Sequence, residues 1–200
     1  MLLSFLTWCG YVGIVLGLLG AWKWRGKALK LAGLGVVLVM IGWFWPNYDY
    51  SELHSLEVKA PKEQVYAAVK EVTMGEVALF RTLITIRSFG RARGLDTAAK
   101  LPLLDVMVRS GFKITSDEPG KGLVVKARPM LGMSTDADMS IEEVSPGTCR
   151  VSTRTIVTET SPGAARRFAP YWRTIYPGSW VLRITWLQAI KKRAEAPSPA

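Results

Sequence analysis

The chain has 200 residues, 49% of them hydrophobic, with 26 Lys and Arg against 16 Asp and Glu and a formal net charge of +10. One histidine and two cysteines leave neither a disulfide framework nor a multidentate His/Cys metal centre to build on. Phosphate loop, nucleophile elbow and dinucleotide fingerprint are all absent from the sequence, and the basic residues are not interleaved with aromatics as on a nucleic-acid platform; no cofactor, no metal and no nucleic-acid partner is expected.

Leu2 to Trp22 contains no ionisable acid or base and matches the roughly 20 residues that a helix needs to cross a bilayer core. Ala28 to Trp45 is interrupted only by Lys30, near its end, where a long side chain snorkels to the interface. Residues 1–48 are therefore expected to form a transmembrane hairpin with spans at about 2–22 and 28–45. The first run has no preceding charge and is too long for a cleaved signal peptide. Trp22 and Trp24 flank the connecting loop, while Trp43, Trp45, Tyr48 and Tyr50 gather at the other end, as aromatic belts do. Lys23, Arg25, Lys27 and Lys30 place loop 23–27 in the cytoplasm by the positive-inside rule, and the remainder of the chain on the extracytoplasmic side of a cell membrane. Gly10, Gly13, Gly17 and Gly20 share one helical face, with Ala28, Ala32, Gly35 and Gly42 in nearly the same phase on the second span. Such small-residue stripes pack two spans on each other or mediate homo- or hetero-oligomers.

Residues 49–194 are long enough for one domain with its own core, followed by a disordered tail at 195–200. HSLEVK alternates as a strand with His54, Leu56 and Val58 on one face. Pro61 then opens a helix with an apolar stripe of Val65, Ala68, Val69 and Val72. Thr73, with Glu76 three residues on, is the N-cap of a second helix through 74–86. LPLLDVMVRSG is a short helix ending at Gly111; the segment from Phe112 to Pro129 is a hairpin about PGKG, and the one from Ala137 to Glu159 a second pair of strands about SPGT. In the last strand Cys149, Val151, Thr153, Thr155 and Val157 share a face, so the sheet is antiparallel and half buried. Ser161 caps a helix that Pro177 and Gly178 interrupt, and Ser179 starts a closing helix with Trp180, Ile184, Leu187 and Ile190 inward. Lys191, Lys192 and Arg193 complement the negative end of its dipole.

LEVKAPKEQVYAAV, LLDVMVRSGFKITSDEPGKGLVV and TRTIVTETSPGAARRFAPYWRTIYPGSW resemble the SRPBCC or START-like superfamily, in particular its small bacterial members related to polyketide cyclases and dehydrases. The resemblance covers residues 52–194 and implies an α+β helix-grip fold, a curved antiparallel sheet around a long C-terminal helix, here preceded by two transmembrane helices. Members bind lipids, sterols, hormones and polyketides between sheet and closing helix, many with no known activity.

No catalytic residue is expected. His54 lacks a second ligand or base at suitable spacing, Cys149 reads as a buried inert thiol, and Asp136, Asp138, Glu142 and Glu143 read as solvated. The candidate pocket walls are Met107, Leu123, Val125, Ala127, Val151, Thr153, Thr155, Trp180, Ile184 and Leu187, with Arg109, Tyr171 and Arg173 as polar groups that could orient an acidic headgroup. The same residues could instead fill a solid core. The leading reading is a membrane-anchored domain that binds a lipid or other hydrophobic small molecule without catalysis. The alternatives are a cyclase-, aromatase- or hydrolase-type enzyme on a membrane-borne substrate and a protein-interaction subunit with a filled core.

Overall fold

Two runs of uncharged, apolar sequence become two helices, α1 (Leu2–Gly20) and α2 (Arg25–Phe44), in a computed structural model that describes residues 1–20, 25–45, 50–87, 90–91 and 94–196, the Arg25 and Arg87 side chains excepted. Trp22, Lys23, Trp24, Tyr48 and the last four residues of the tail, which carried sequence expectations, lie outside the described residues. Leu2–Gly20 and Gly26–Phe44, 19 residues each, are long and apolar enough to cross a membrane, with mean hydropathies of 2.0 and 1.7 over an 18-residue window. The chain divides into two units, Met1–Asp49 with Ser161–Ser179 and Tyr50–Thr160 with Trp180–Ala200. Ser161–Ser179 is grouped with the hairpin.

In the first unit the glycine stripe is where α1 meets α2. A Cβ on Gly10 would lie 2.6 Å from the Gly35 carbonyl oxygen, and one on Gly17 2.7 Å from the Ala28 oxygen and the Ala32 nitrogen. Only residues without side chains let the two backbones approach this closely. Gly17→Val should therefore force the helices apart and lower stability in detergent by about 1 to 3 kcal/mol. Gly33→Val, whose Cβ meets nothing within 4 Å, should not. Equal thermal melts for the two variants would contradict this packing.

The second unit is built on a five-stranded antiparallel sheet. Its strands are β1 (Ser51–Val58), β2 (Lys113–Glu118), β3 (Gly122–Lys126), β4 (Met133–Ser145) and β5 (Thr148–Glu159), in the order β1-β5-β4-β3-β2. Between β1 and β2 lie α3 (Lys62–Glu71), α4 (Phe80–Arg87), α5 (Leu95–Ala98) and α6 (Leu103–Arg109). The last helix, α7 (Ala164–Ala194), belongs to the first unit up to Ser179 and to the second from Trp180. Alternation puts Leu123 and Val125 of β3, Ala137, Met139 and Ile141 of β4, and Cys149 and Val151 of β5 into a core with Val65, Ala68, Val69 and Val72 beside α3 and with Trp186, Leu187, Ile190 and Ala194 of α7. Gly122 opens β3 at φ +140°, where a Cβ would strike the Met139 carbonyl, so no other residue fits this strand start.

Two sequence expectations are corrected. Thr73 and Glu76 do pair, the Thr73 N–H and hydroxyl donating to Glu76 Oε2 at 2.7 and 2.8 Å, but no helix starts there. The N–H groups of Met74 and Gly75 instead donate to Leu101 and Ala99 carbonyls, Leu79 takes φ +62°, and α4 begins only at Phe80. Likewise Pro177 and Gly178 do not interrupt the closing helix, and α7 carries both Pro170 and Pro177 within one 31-residue run. Each proline withholds one backbone N–H, a local cost that the packing of the flanking turns offsets.

Ion pairs fasten the outer elements. Asp117 of β2 accepts hydrogen bonds from Lys70 Nζ and the Tyr66 hydroxyl of α3, at 2.5 Å each. These two bonds hold its carboxyl below its ordinary range against partial burial, and the bond to Asp117, followed by burial and the carboxylate charge, pushes Tyr66 up to about 12. Arg193 of α7 reaches Glu76 at 3.0 Å and Glu71 at 3.2 Å. Burial alone would raise Glu76, but the Thr73 and Arg193 hydrogen bonds bring it below the usual carboxylate value. A depressed folded pKa means stability that is fully present above the unfolded carboxylate value of about 4 and lost as pH falls through the folded value. Both groups are partly exposed, so each contributes roughly 1 kcal/mol or less. The Asp117→Asn, Glu76→Gln double variant should melt lower at neutral pH and with a flatter dependence on acid. An unchanged slope of Tm against pH would contradict the assignment.

Candidate functional site

Three elements of the second unit change from apolar to polar at the same level. Along β1 the inward residues run Val58, Leu56, His54, Glu52, and along β5 they run Cys149, Val151, Thr153, Thr155. The register pairs Val58 with Cys149, Leu56 with Val151, His54 with Thr153 and Glu52 with Thr155. On α7 the core residues Ala194, Ile190, Leu187 and Trp186 give way to Arg183 and Trp180, about one and two turns nearer the N-terminus. One end of the interior is thus closed with aliphatic side chains, while the other holds a carboxylate, an imidazole, two hydroxyls and a guanidinium.

At that polar end Arg183 donates from Nη1 to Thr153 Oγ1 at 2.9 Å and from Nη2 to Thr155 Oγ1 at 2.7 Å, with its guanidinium 5.8 Å from the Trp186 ring centre. Desolvation pulls the guanidinium below its ordinary pKa, against the opposing charges of Glu52 and Asp138. It stays cationic at neutral pH, as arginine does in proteins. Among the described residues Arg183 makes no ion pair with a carboxylate. Glu52, only 4% exposed, bonds His54 Nε2 through Oε1 at 2.8 Å. The His54 ring lies edge-on to Trp180 at 6.3 Å. The Trp186 indole N–H is buried without an acceptor among the described residues. An under-neutralised guanidinium beside an orphaned N–H is a set of donors suited to an oxyanion: a carboxylate, a phosphate or a polarised carbonyl.

The sequence candidates are spread over this arrangement. Thr153 and Thr155 hold Arg183. Leu123, Val125, Val151 and Leu187 belong to the packed core and Met107 packs against it. Trp180 is 37% exposed at the polar end and Ile184 is half-buried. Ala127 follows β3 and gives its N–H to the Thr135 carbonyl at 2.9 Å, while Arg109 is exposed on the last turn of α6. Tyr171 and Arg173 fall in the first unit. There Arg173 is 2% exposed and donates to the carbonyls of Gly42 and of Trp45, the latter at 2.9 Å, at the C-terminal end of α2, so it caps a helix. The thiol of Cys149 is fully buried and pushed up by desolvation and by Glu143.

Glu52 and Arg183 were missed, although both carried a signal. Glu52 has the strand parity of His54, Leu56 and Val58, and Arg183 stands three residues after Trp180 on the inward stripe. A groove of about 500 Å³ also exists on the opposite face of the sheet, beside Leu53, Lys121, Ser140, Ser152 and the Arg154–Asp138 pair, but those ions neutralise each other at 2.8 Å.

No family model matches the chain, and no curated protein does. Among solved structures, a Thermobifida fusca protein determined in solution by NMR is 15% identical, covering 74% of this chain and 97% of its own, with a TM-score of 0.37. The di-domain ARO/CYC StfQ from the steffimycin biosynthetic pathway is 11% identical, with coverages of 86% and 59% and a TM-score of 0.40. An aromatase/cyclase from a Streptomyces species is 10% identical, with coverages of 72% and 96% and a TM-score of 0.31. The chain's own topology, an opening strand, short helices, four further antiparallel strands and a long closing helix packed on the sheet, makes the second unit a helix-grip domain.

Proposed function

We propose that this is a membrane-anchored helix-grip domain that binds a lipid or other hydrophobic small molecule carrying an acidic or strongly polarised end, without transforming it. The observation that carries the reading is Arg183, a desolvated cation whose hydrogen-bond partners among the described residues are two neutral hydroxyls and no carboxylate. A protein optimised only for stability would bond or replace such a group, because a half-buried guanidinium that Glu52 and Asp138 offset only in part is costly. The acidic end of the ligand lies against Arg183, and its apolar part along Trp180 and Ile184, neighbours on the same helical face. The filled core beyond Leu187 confines the site to the polar end.

In this reading α1 and α2 span the membrane, loop 23–27 is cytoplasmic and the helix-grip domain is extracytoplasmic. Full-length protein, purified in mild detergent and analysed by mass spectrometry, should carry an acidic amphiphile that Arg183→Met loses. A wild-type protein free of any acidic amphiphile would count against the proposal, and activity of a cytoplasm-only reporter fused after Ala200 would reverse the orientation.

One observation favours an enzyme as the second reading. The Glu52 carboxylate orients His54, a carboxylate–imidazole pair one cross-strand step from the Thr153 hydroxyl that holds Arg183. Such a pair is a general base beside a group able to polarise a carbonyl. On that reading His54→Gln abolishes turnover of a carbonyl substrate but leaves acid binding intact; the absence of turnover across acyl esters and thioesters would leave binding alone.

A further inference from the structure

Residues 161–179 resemble neither membrane span, yet they belong to the same unit as the apolar hairpin. Their attachment is a chain of hydrogen bonds. Thr174 Oγ1 donates to the Pro170 carbonyl at 2.8 Å and accepts from the Tyr11 hydroxyl at 2.9 Å, which in turn accepts from Trp43 Nε1 at 3.2 Å. Trp8 Nε1 donates to the Thr174 carbonyl at 3.1 Å, and Arg173 closes the end of α2. Trp8 and Tyr11 lie about 9 and 14 Å along α1 from Leu2 at the helical rise. That is inside the apolar run, where Trp43 of the expected interfacial belt reaches the Tyr11 hydroxyl. Polar groups at such a depth survive only when bonded to one another, as these are.

The composition of the segment fits the same place. Phe168, Tyr171, Trp172 and Tyr176 form a row of ring contacts with centroids 5.3 to 6.0 Å apart. Arg166 and Arg167 stand exposed in the first turn of α7, which has no acidic residue, although the positive end of the helix dipole disfavours cations there. Among the described residues Arg167 makes only long side-chain contacts, 3.4 Å to the Pro162 carbonyl and 3.5 Å to Ser161 Oγ. Anionic headgroups would offset both the dipole and the two exposed charges.

We infer that residues 164–179 form a third membrane element, lying at the boundary of the bilayer against the open end of the hairpin, with Arg166 and Arg167 in the anionic headgroup layer. The inference rests on the reading of α1 and α2 as membrane spans and adds a lipid-contacting surface to it. A photoactivatable p-benzoylphenylalanine placed at Phe5, Arg166 or Lys121 of the full chain, reconstituted in phosphatidylcholine vesicles with a minority of phosphatidylglycerol, tests both. Phe5, 65% exposed on α1, reports the hairpin, and Lys121 reports a turn of the sheet. Lipid adducts are expected at Phe5 and Arg166 and not at Lys121. At Arg166 phosphatidylglycerol should be enriched about fivefold over its bulk share, and Arg167→Gln should remove that enrichment. Adducts at Phe5 alone would overturn the third element and leave the hairpin. Adducts at neither would overturn both, and adducts at Arg166 without enrichment, or equally at Lys121, would overturn the headgroup contact.

Discussion

Leu187→Ala is expected to destabilise the helix-grip unit by about 2 to 5 kcal/mol. Leu187 is 3% exposed within a cluster that includes Val125, Met139 and Val151 of the sheet and Ile190 one turn on. Truncation removes the transfer free energy of three carbons and leaves a hole that a sheet and a long helix, each held by its own hydrogen bonds, cannot collapse to fill. Leu187→Trp should be worse, because a close-packed interior has no room for an indole and must break rotamers or part the helix from the sheet. Chemical denaturation of the full chain in detergent reads both. A Leu187→Trp variant as stable as the parent would mean that a ligand-sized void lies beneath the helix, and the site would then extend into the core.

Arg183→Met is expected to behave in the opposite way. Loss of charge-assisted hydrogen bonds to an oxyanion should weaken binding of an acidic amphiphile by about 10- to 100-fold. Stability should stay within about 1 kcal/mol or rise, since methionine fills a similar volume with no charge to desolvate. The Thr153 and Thr155 hydroxyls can turn to other acceptors, whereas the guanidinium has no ion pair to lose among the described residues. Arg183→Lys should recover only part of the affinity, because an ammonium lacks the planar fork that engages two oxygens at once. A variant that unfolds instead would make Arg183 a structural residue.

Most of the fold was legible because period and parity are local properties. The alternation of Cys149, Val151, Thr153, Thr155 and Val157 fixed the buried face of β5, and the stripe from Val65 to Val72 fixed the inner face of α3. What escaped depended on distant partners. The Thr73–Glu76 pair formed without its helix because the next two N–H groups serve carbonyls about 25 residues away. Pro177–Gly178 read as a break, yet the helix runs through, with Arg173 and Thr174 anchored to the hairpin one turn earlier. The candidate site was half legible: Thr153 and Thr155 came from strand parity, but Glu52 and Arg183 were not among the candidates, whose cations were Arg109 and Arg173 instead. Parity and helical spacing place both inward all the same, and a charge on an apolar stripe is the stronger sign of function.

The account stands on Arg183 as the receptor for an acidic ligand end, and calorimetric titration of the full chain in nanodiscs with a matched pair of amphiphiles tests it most directly. Dodecyl phosphate and dodecanol share an alkyl chain and differ in the group that would face the guanidinium. The account predicts saturable binding of the phosphate, at least tenfold tighter than the alcohol, with the preference abolished in Arg183→Met. Equal affinity for the two, or a phosphate preference that survives in Arg183→Met, would contradict it.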